Sequence, residues 1–232
     1  MTGTGSGAAG EGFAPFCDDP RCTIPDGAYT HRFHAGDGSP ARPLVLLHGS
    51  HGRETDLLPW TDMLAVGAST TAVRGSVRTG EGYAFFRRHP DRRVDAADLV
   101  ARLPGLAAHL ESARVAHGFD ARPIVIGFSN GAIMAAALVA HHPQLFAGAV
   151  LLRPLLPFDH DSATELDGIP MLIIDGAEDR RRSPGDGRRL AAWLRRAGAV
   201  VEHRVLPVGH AITRGEVDII REWMRMRPFP ER

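Results

Sequence analysis

The chain has 232 residues, of which 44% are hydrophobic and 23% are charged. This length and composition predict one sizeable globular domain with a continuous apolar core. Basic and acidic residues number 27 each, and every basic residue is an arginine, so no net charge favours a nucleic acid or an anionic membrane surface as a partner. No segment approaches the roughly 20 consecutive apolar residues that a membrane-spanning helix needs.

The amino-terminal segment 1–12 is rich in glycine and small polar residues, which predicts a flexible leader ahead of a single domain over 13–232. It has neither the basic region nor the apolar region of a signal peptide, and we therefore expect a cytoplasmic protein. Cys17 and Cys22 follow this leader. No second pair of cysteines exists to complete a zinc site, so we expect neither a metal nor a structural disulfide at this pair.

Short apolar runs alternate with helical patterns along the rest of the chain. An antiparallel strand is expected around Tyr29–Phe33, ahead of the first buried run. Five apolar runs then predict buried strands, and a sixth run, which alternates more, predicts a strand near a sheet edge. In chain order these six runs are Pro43–Gly49, Ser69–Gly75, Pro123–Ser129, Ala149–Arg153, Met171–Asp175 and, near the edge, Val200–Leu206.

Helices are predicted between these strands. Apolar residues recur at helical spacing over 190–197, and Thr213 and Glu216 form a capping box before a further apolar pattern. A third helical pattern, Asp95–His117, contains the pair Pro104–Gly105, which we expect to break or kink the helix. Strands that alternate with helices predict an α/β fold, with a mostly parallel sheet and helices on both faces.

The sequence GFSNG at 127–131 matches the pattern G-x-S-x-G. It follows a predicted buried strand and opens a helical pattern over 132–142. In this context the motif is typical of the nucleophile elbow of an α/β-hydrolase fold, a sharp turn that exposes the serine hydroxyl above the sheet. The alternative, in which Ser129 only caps the helix, fits the motif but is disfavoured by the strand that precedes it.

A serine nucleophile needs a base that accepts its proton and a carboxylate that orients the base. His210 lies in a loop after the predicted edge strand, where its ring can reach Ser129. Asp179, in the turn after the preceding strand, is the predicted acid, with Asp175 and Glu178 as rivals. The order serine, acid, histidine is the one that this fold predicts.

Acyl transfer also needs hydrogen-bond donors for the oxyanion of the tetrahedral intermediate. The backbone N–H of Asn130 is one candidate, and the N–H of Ser50, in the turn after the first buried strand, is the other. His48 and His51 in that turn have the spacing of a metal pair. No third ligand lies nearby in the sequence, so we interpret them as turn residues.

Apolar residues in the loops above the sheet are candidates for an acyl pocket, with ordinary core packing as an equal alternative. These candidates are Trp60, Tyr83, Phe85, Phe86, Leu155, Leu156, Pro157 and Phe158. Arg74, Arg78 and Arg153 are candidates for binding an anionic group of a substrate. For these three arginines, however, a position on the solvated surface is the expectation.

Five blocks between Leu44 and Met224 resemble, in the right order, the carboxylesterase/phospholipase family of the α/β-hydrolases, which includes acyl-protein thioesterases. The blocks are LLHGSHGRETDLLP, VRG, GFSNGA, DGAED and VGHAIT. The resemblance implies a hydrolase of carboxylic esters with short or medium acyl chains, without metal or cofactor, and often a homodimer. It places the catalytic triad at Ser129, Asp179 and His210. The oxyanion donors then correspond to Ser50 and Asn130.

Three features depart from the family pattern. Val73 stands where the family often has proline, Pro104 interrupts a helix that is usually continuous, and DRRRSPGDG after the acid replaces a more apolar stretch. These differences concern the substrate entrance rather than the chemistry. A thioesterase or a lactone hydrolase on the same triad remains an alternative, as does a binding module without activity. The serine at the elbow argues against a dienelactone-type enzyme, which typically carries cysteine there.

Overall fold

The structure, a computed structural model, describes residues 29–65, 67–158 and 165–229. Its strands are β1 (Thr30–His34), β2 (Leu44–Leu47), β3 (Thr70–Arg74), β4 (Val77–Thr79), β5 (Gly82–Ala84), β6 (Ile124–Phe128), β7 (Gly148–Leu152), β8 (Pro170–Gly176) and β9 (Val200–Leu206). Its α-helices are α1 (Thr61–Leu64), α2 (Ala96–His117), α3 (Asn130–His141), α4 (Pro184–Arg196) and α5 (Arg214–Met226). The predicted leader and both cysteines, Cys17 and Cys22, lie outside the described residues.

Seven strands form one sheet in the order β1-β3-β2-β6-β7-β8-β9. Strand β1 pairs antiparallel with β3, whereas all other neighbours in this sheet are parallel. The antiparallel strand expected around Tyr29–Phe33 and the edge strand Val200–Leu206 are therefore confirmed. Strands β4 and β5 form a separate antiparallel hairpin, which no sequence pattern predicted.

The central strands supply side chains to two apolar cores, because successive residues of a strand point to opposite faces of the sheet. Val125 and Leu151 belong to the core on one face, where they pack with α2, α3 and α4. Ile126 and Leu172 belong to the core on the other face, together with apolar residues of α1 and α5. Helices therefore cover both faces, as the predicted α/β fold requires.

Helix α2 continues without interruption from Ala96 to His117, so the break expected at Pro104–Gly105 is wrong. Both residues lie on the exposed side of the helix. Because Pro104 has no backbone N–H, the carbonyl group of Val100 lacks its helical hydrogen bond. On the exposed side of the helix, water can bind this carbonyl group instead. On the opposite side of α2, the flanking turns are anchored in the core by Leu99, Leu103 and Leu106. Among the described residues, neither α2 nor another helix has the length and apolar character to cross a membrane.

Helix α3 begins so close to β2 that residue 131 has room only for glycine. A Cβ atom at Gly131 would lie 2.2 Å from the carbonyl oxygen of Leu47. The N–H of Gly131 donates to the carbonyl oxygen of His48 at 3.1 Å, which holds the two backbones together. A Cβ atom at Gly127 would lie 2.5 Å from the carbonyl oxygen of Gly131. Both glycines of the GFSNG motif are thus required by close backbone packing.

We expect Gly131→Ala to lower the free energy of unfolding by about 1–3 kcal/mol, because the added methyl group overlaps backbone atoms. The matched control is Gly215→Ala in α5, where an added Cβ meets no atom within 4 Å and alanine favours the helix. Urea unfolding measures both variants. Equal stability of the two would contradict the close contact between α3 and β2.

Candidate active site

Ser129 lies in the turn between the end of β6 and the start of α3. Its backbone φ is +53°, in the left-handed region that residues other than glycine rarely adopt. The Ser129 N–H donates to the carbonyl oxygen of Leu152, at the end of the neighbouring strand β7, at 2.8 Å. Such a conformation persists only where surrounding contacts hold it in place. The serine is therefore fixed at the carboxyl edge of the sheet.

The imidazole ring of His210 connects Ser129 with Asp179. Its Nε2 atom lies 3.2 Å from Oγ of Ser129, and its Nδ1 atom lies 2.7 Å from Oδ2 of Asp179. Because an ionised carboxylate only accepts hydrogen bonds, we assign the ring proton to Nδ1. Nε2 is then the acceptor for the serine hydroxyl. The structure thus brings the three predicted side chains together in the order that a serine hydrolase needs.

The environment of His210 favours its neutral form. Burial lowers the pKa of His210 below its ordinary value of 6.5. The carboxylate of Asp179 opposes this shift, whereas the positive charges of Arg182 and Arg181 add to it. The net pKa is lowered, so the ring is neutral at pH 7 and can accept a proton.

Asp179 is held in its ionised form by hydrogen bonds to both carboxylate oxygens. Burial raises the pKa of Asp179, but hydrogen bonds from His210 and from two backbone N–H groups outweigh that effect and lower it. The backbone N–H groups of Arg181 and Arg182 donate to Oδ1 at 2.7 and 3.2 Å. Oδ2 therefore remains for His210, and the acid is fixed by its own turn.

The two rival carboxylates do not contact His210. Asp175 is buried, and its Oδ2 lies 2.7 Å from Nε2 of His203 on the neighbouring strand β9. Burial raises the pKa of Asp175, while the bond to His203 opposes that shift. Glu178 is exposed. The geometry therefore selects Asp179 as the partner of His210.

Arg182 also contacts the serine hydroxyl, a contact that sequence patterns did not indicate. Its Nη2 donates to Oγ of Ser129 at 3.2 Å, and its Nε donates to the carbonyl oxygen of Arg153 at 3.1 Å. Because Oγ accepts a hydrogen bond from Arg182, its own proton is directed towards Nε2 of His210. The single sequence signal for this contact is the arginine-rich DRRRSPGDG segment that follows the predicted acid.

Arg153 is fully buried, so the expectation that it lies on the solvated surface is wrong. It follows β7 with a backbone φ of +56°. Its Nη1 pairs with Oε1 of Glu216 at 2.6 Å, and its Nε lies 3.9 Å from Oδ2 of Asp179. A buried guanidinium requires such partners, since an isolated buried charge is strongly destabilising.

The other donors of Arg153 hold the loop that carries His210. Nε donates to the carbonyl oxygen of Gly209 at 3.0 Å, and Nη2 donates to that of Ala211 at 3.2 Å. These two carbonyl groups flank His210 on both sides. The partner carboxylate, Glu216, also completes the capping box of α5, which confirms that prediction. Arg153 thus connects β7, the histidine loop and α5.

The turn after β2 contains Ser50, the predicted second oxyanion donor. Strands β2 and β6 are parallel neighbours, so the Ser50 turn and the elbow with Asn130 lie at the same edge of the sheet. In this turn the Nε2 atom of His48 accepts from the N–H of Gly75 at 3.0 Å, and its Nδ1 therefore donates to the carbonyl oxygen of Gly49 at 2.7 Å. Both ring nitrogens of His48 are engaged with the backbone.

The apolar candidates for the substrate pocket are divided between core and surface. Phe85 and Phe86 are fully buried and belong to the core, so they do not line an open surface. The side chain of Asn130 holds them there, because its Oδ1 accepts from the N–H of Phe85 at 2.7 Å and its Nδ2 donates to the carbonyl oxygen of Phe86 at 3.4 Å. The candidates that remain partly exposed are Trp60, Tyr83, Leu155 and Leu156.

Three known proteins are similar to this chain over most of its length. The putative hydrolase MhqD of Bacillus subtilis (strain 168) is 33% identical over 189 residues, which cover 81% of this chain and 94% of that protein. The carboxylesterase of Bacillus cereus is 34% identical with a TM-score of 0.81, over 85% of this chain and 93% of its own. The carboxylesterase of Mesorhizobium loti is 33% identical with a TM-score of 0.81, over 88% of this chain and 98% of its own. No family model matches the chain.

The fold and these relatives together define an α/β-hydrolase, which confirms the fold predicted from the elbow and the alternating elements. The chain belongs to the carboxylesterase/phospholipase family of that class, as the five sequence blocks implied. As a member of this family, the protein is a hydrolase.

We expect Arg153→Met to lower the free energy of unfolding by about 3–5 kcal/mol, because it leaves Glu216 buried without its partner. Adding Glu216→Leu removes the second charge and should restore part of the loss. The matched control is Arg221→Met, whose exposed pair with Asp218 contributes at most about 1 kcal/mol. Urea unfolding of all three variants provides the comparison. Similar losses for Arg153→Met and Arg221→Met would contradict the importance of the buried pair.

Proposed function

We propose that the protein hydrolyses carboxylic esters with short or medium acyl chains through an acyl-enzyme intermediate on Ser129. One observation carries this proposal: the His210 ring lies 3.2 Å from the serine oxygen on one side and 2.7 Å from the Asp179 carboxylate on the other. The serine thus has a base for its proton, and the base has a carboxylate that fixes its tautomer. The carboxylesterases that this chain resembles support the same reaction.

In the first half of the reaction, Oγ of Ser129 attacks the ester carbonyl carbon while its proton passes to Nε2 of His210. Asp179 stays ionised and stabilises the imidazolium that forms. The tetrahedral intermediate then collapses, the bond to the alcohol oxygen breaks, and His210 protonates the departing alcohol. In the second half, water loses a proton to His210 and attacks the acyl carbonyl carbon. The bond from that carbon to Oγ of Ser129 then breaks, His210 returns the proton to Oγ, and the acid is released.

We assign the oxyanion of both tetrahedral intermediates to the backbone N–H groups of Ser50 and Asn130. Asn130 begins α3, and the N-terminus of a helix favours negative charge. The Ser50 turn follows the strand next to β6, which brings a second backbone donor to the same edge. Each such donor is worth about 2.7–4 kcal/mol in the transition state.

The acyl chain of the substrate is proposed to lie against Trp60, Leu155 and Leu156, three of the predicted pocket residues that are not fully buried. A pocket of this kind discriminates one methylene group by only about 1–3 kcal/mol. Thioesters and lactones undergo the same acyl transfer on the same triad. A series of acyl lengths with matched thioesters therefore separates ester from thioester preference.

We expect Ser129→Ala to lower kcat for p-nitrophenyl butyrate by about 10⁴-fold or more, because it removes the nucleophile. Labelling by a fluorophosphonate probe should disappear in the same variant. Ser112→Ala, on the exposed side of α2, is the matched control and should keep both activity and labelling. Labelling that persists in Ser129→Ala would show that another residue is the nucleophile.

We expect kcat/KM to fall to half its plateau at a pH below 6.5. His210 accepts a proton only when neutral, and its pKa in the folded protein is lower than 6.5. Activity is therefore present above that lowered pKa and is lost as the pH falls through it. Arg182→Gln should move the midpoint upward, because it removes a positive charge that lowers the pKa. A pH–rate profile with a midpoint above 6.5 in the wild-type protein is the contrary result.

A further inference from the structure

The guanidinium group of Arg182 lies against the nucleophile without a carboxylate partner among the described residues. It donates to Oγ of Ser129 and to the carbonyl oxygens of Arg153 and Arg181. A guanidinium has five N–H donors, so these three bonds leave two donors. Arg182 is only 8% exposed, and a buried positive charge without a counter-ion is costly. An anion bound at this position would remove that cost.

The charge of Arg182 acts on a second guanidinium group, that of Arg88. Arg88 follows Phe86 by two positions along the chain. The backbone groups of Phe85 and Phe86 form hydrogen bonds with the side chain of Asn130, the residue after Ser129. The Nε and Nη2 atoms of Arg88 are buried and have no hydrogen-bond partner in the part of the chain that the structure describes. Burial, and then the charge of Arg182, lower the pKa of Arg88 to about 10. Two cationic groups with unused donors thus act on each other, and one of them, Arg182, contacts the serine.

The two carboxylates that act on the charge of Arg182 are already engaged with other partners. Asp179 accepts from His210 and from two backbone N–H groups of its own turn. Asp186 accepts from the backbone N–H of Ser183 in the capping box of α4 and pairs with Arg189. Asp179 and Asp186 raise the pKa of Arg182 from a distance, but within the described residues neither forms an ion pair with Arg182 or Arg88, so a directly paired counter-ion comes from outside them.

We propose that the guanidinium groups of Arg182 and Arg88 bind a carboxylate of the substrate, and that the preferred substrate is a half-ester of a short dicarboxylic acid. Guanidinium groups hold carboxylates through paired, charge-assisted hydrogen bonds. Because Arg182 contacts Oγ of Ser129, the bound carboxylate lies only a few bonds from the carbonyl that Ser129 attacks. This requires a short acid. The inference rests on the proposed function and adds the class of acyl group.

Two esters of matched shape test this proposal. In ethyl hydrogen succinate the acyl group ends in a carboxylate, whereas ethyl 4-oxopentanoate has a neutral methyl ketone at that position. A pH-stat at neutral pH gives kcat/KM for both. We expect the wild-type protein to favour the half-ester by about tenfold or more, and Arg88→Gln to remove about tenfold of that preference. Arg88→Lys should keep part of this preference, since lysine retains the positive charge but not the paired N–H donors of a guanidinium group.

The matched control is Arg93→Gln, in the same segment as Arg88. The guanidinium of Arg93 is exposed and paired with Asp91, so both kcat/KM values should stay unchanged. Equal kcat/KM for the two esters in the wild-type protein overturns the proposal, as does an unaltered preference in folded Arg88→Gln. If Arg182→Gln slows both esters by the same factor, Arg182 serves only the nucleophile and the shared subsite is refuted.

Two further measurements separate this inference from the proposed function. Hydrolysis of the neutral ester that persists in Ser129→Ala contradicts the proposed function itself. Hydrolysis that depends on Ser129 but shows no preference for the half-ester contradicts only the subsite. Succinate should also inhibit p-nitrophenyl butyrate hydrolysis competitively, with an inhibition constant about tenfold higher in Arg88→Gln than in the wild-type protein. An inhibition constant that is the same in both proteins counts against the subsite.

Discussion

The buried ion pair between Arg153 and Glu216 is the constraint on which the rest of the site depends. Both side chains are completely inaccessible to water. Two charges in the interior are stable only when they pair with each other and with polar backbone groups. Arg153 therefore directs its remaining donors to the carbonyl oxygens that flank His210. The need to satisfy a buried charge thus also determines where the histidine loop lies and keeps the ring within reach of Ser129.

The protonation states of Asp179 and His210 differ because their hydrogen-bond partners and neighbouring charges differ. Asp179 receives two backbone N–H groups and the ring of His210, which keep it ionised. His210 is partly buried beside positive charges, which keep it neutral. General base catalysis requires such a pair, in which one group stays ionised while its neighbour stays neutral and can accept a proton. The same positive charges give the site a local field that the balanced composition of the whole chain does not suggest.

The predicted strands agree closely with the structure because buried parallel strands carry continuous apolar runs. The capping box of α5 and the strand before the elbow are likewise local patterns that a sequence displays directly. The hairpin of β4 and β5 was missed, since its three-residue strands are too short to show alternation. The break expected at Pro104 was wrong because the exposed side of α2 tolerates a proline that a buried side would not.

The sequence by itself determined the fold class, the family and the elbow with Ser129, because each depends on residues that are neighbours along the chain. It predicted Asp179 as the acid, with Asp175 and Glu178 as rivals, but offered no physical basis for the burial of Arg153. Only the tertiary structure shows which carboxylate contacts His210 and that Arg153 is buried. The deciding contacts join His210 to residues 31 and 81 positions away, and Arg153 to a carboxylate 63 positions away. Adjacent parallel strands bring such distant loops to one edge, and no local pattern encodes which side chains meet there.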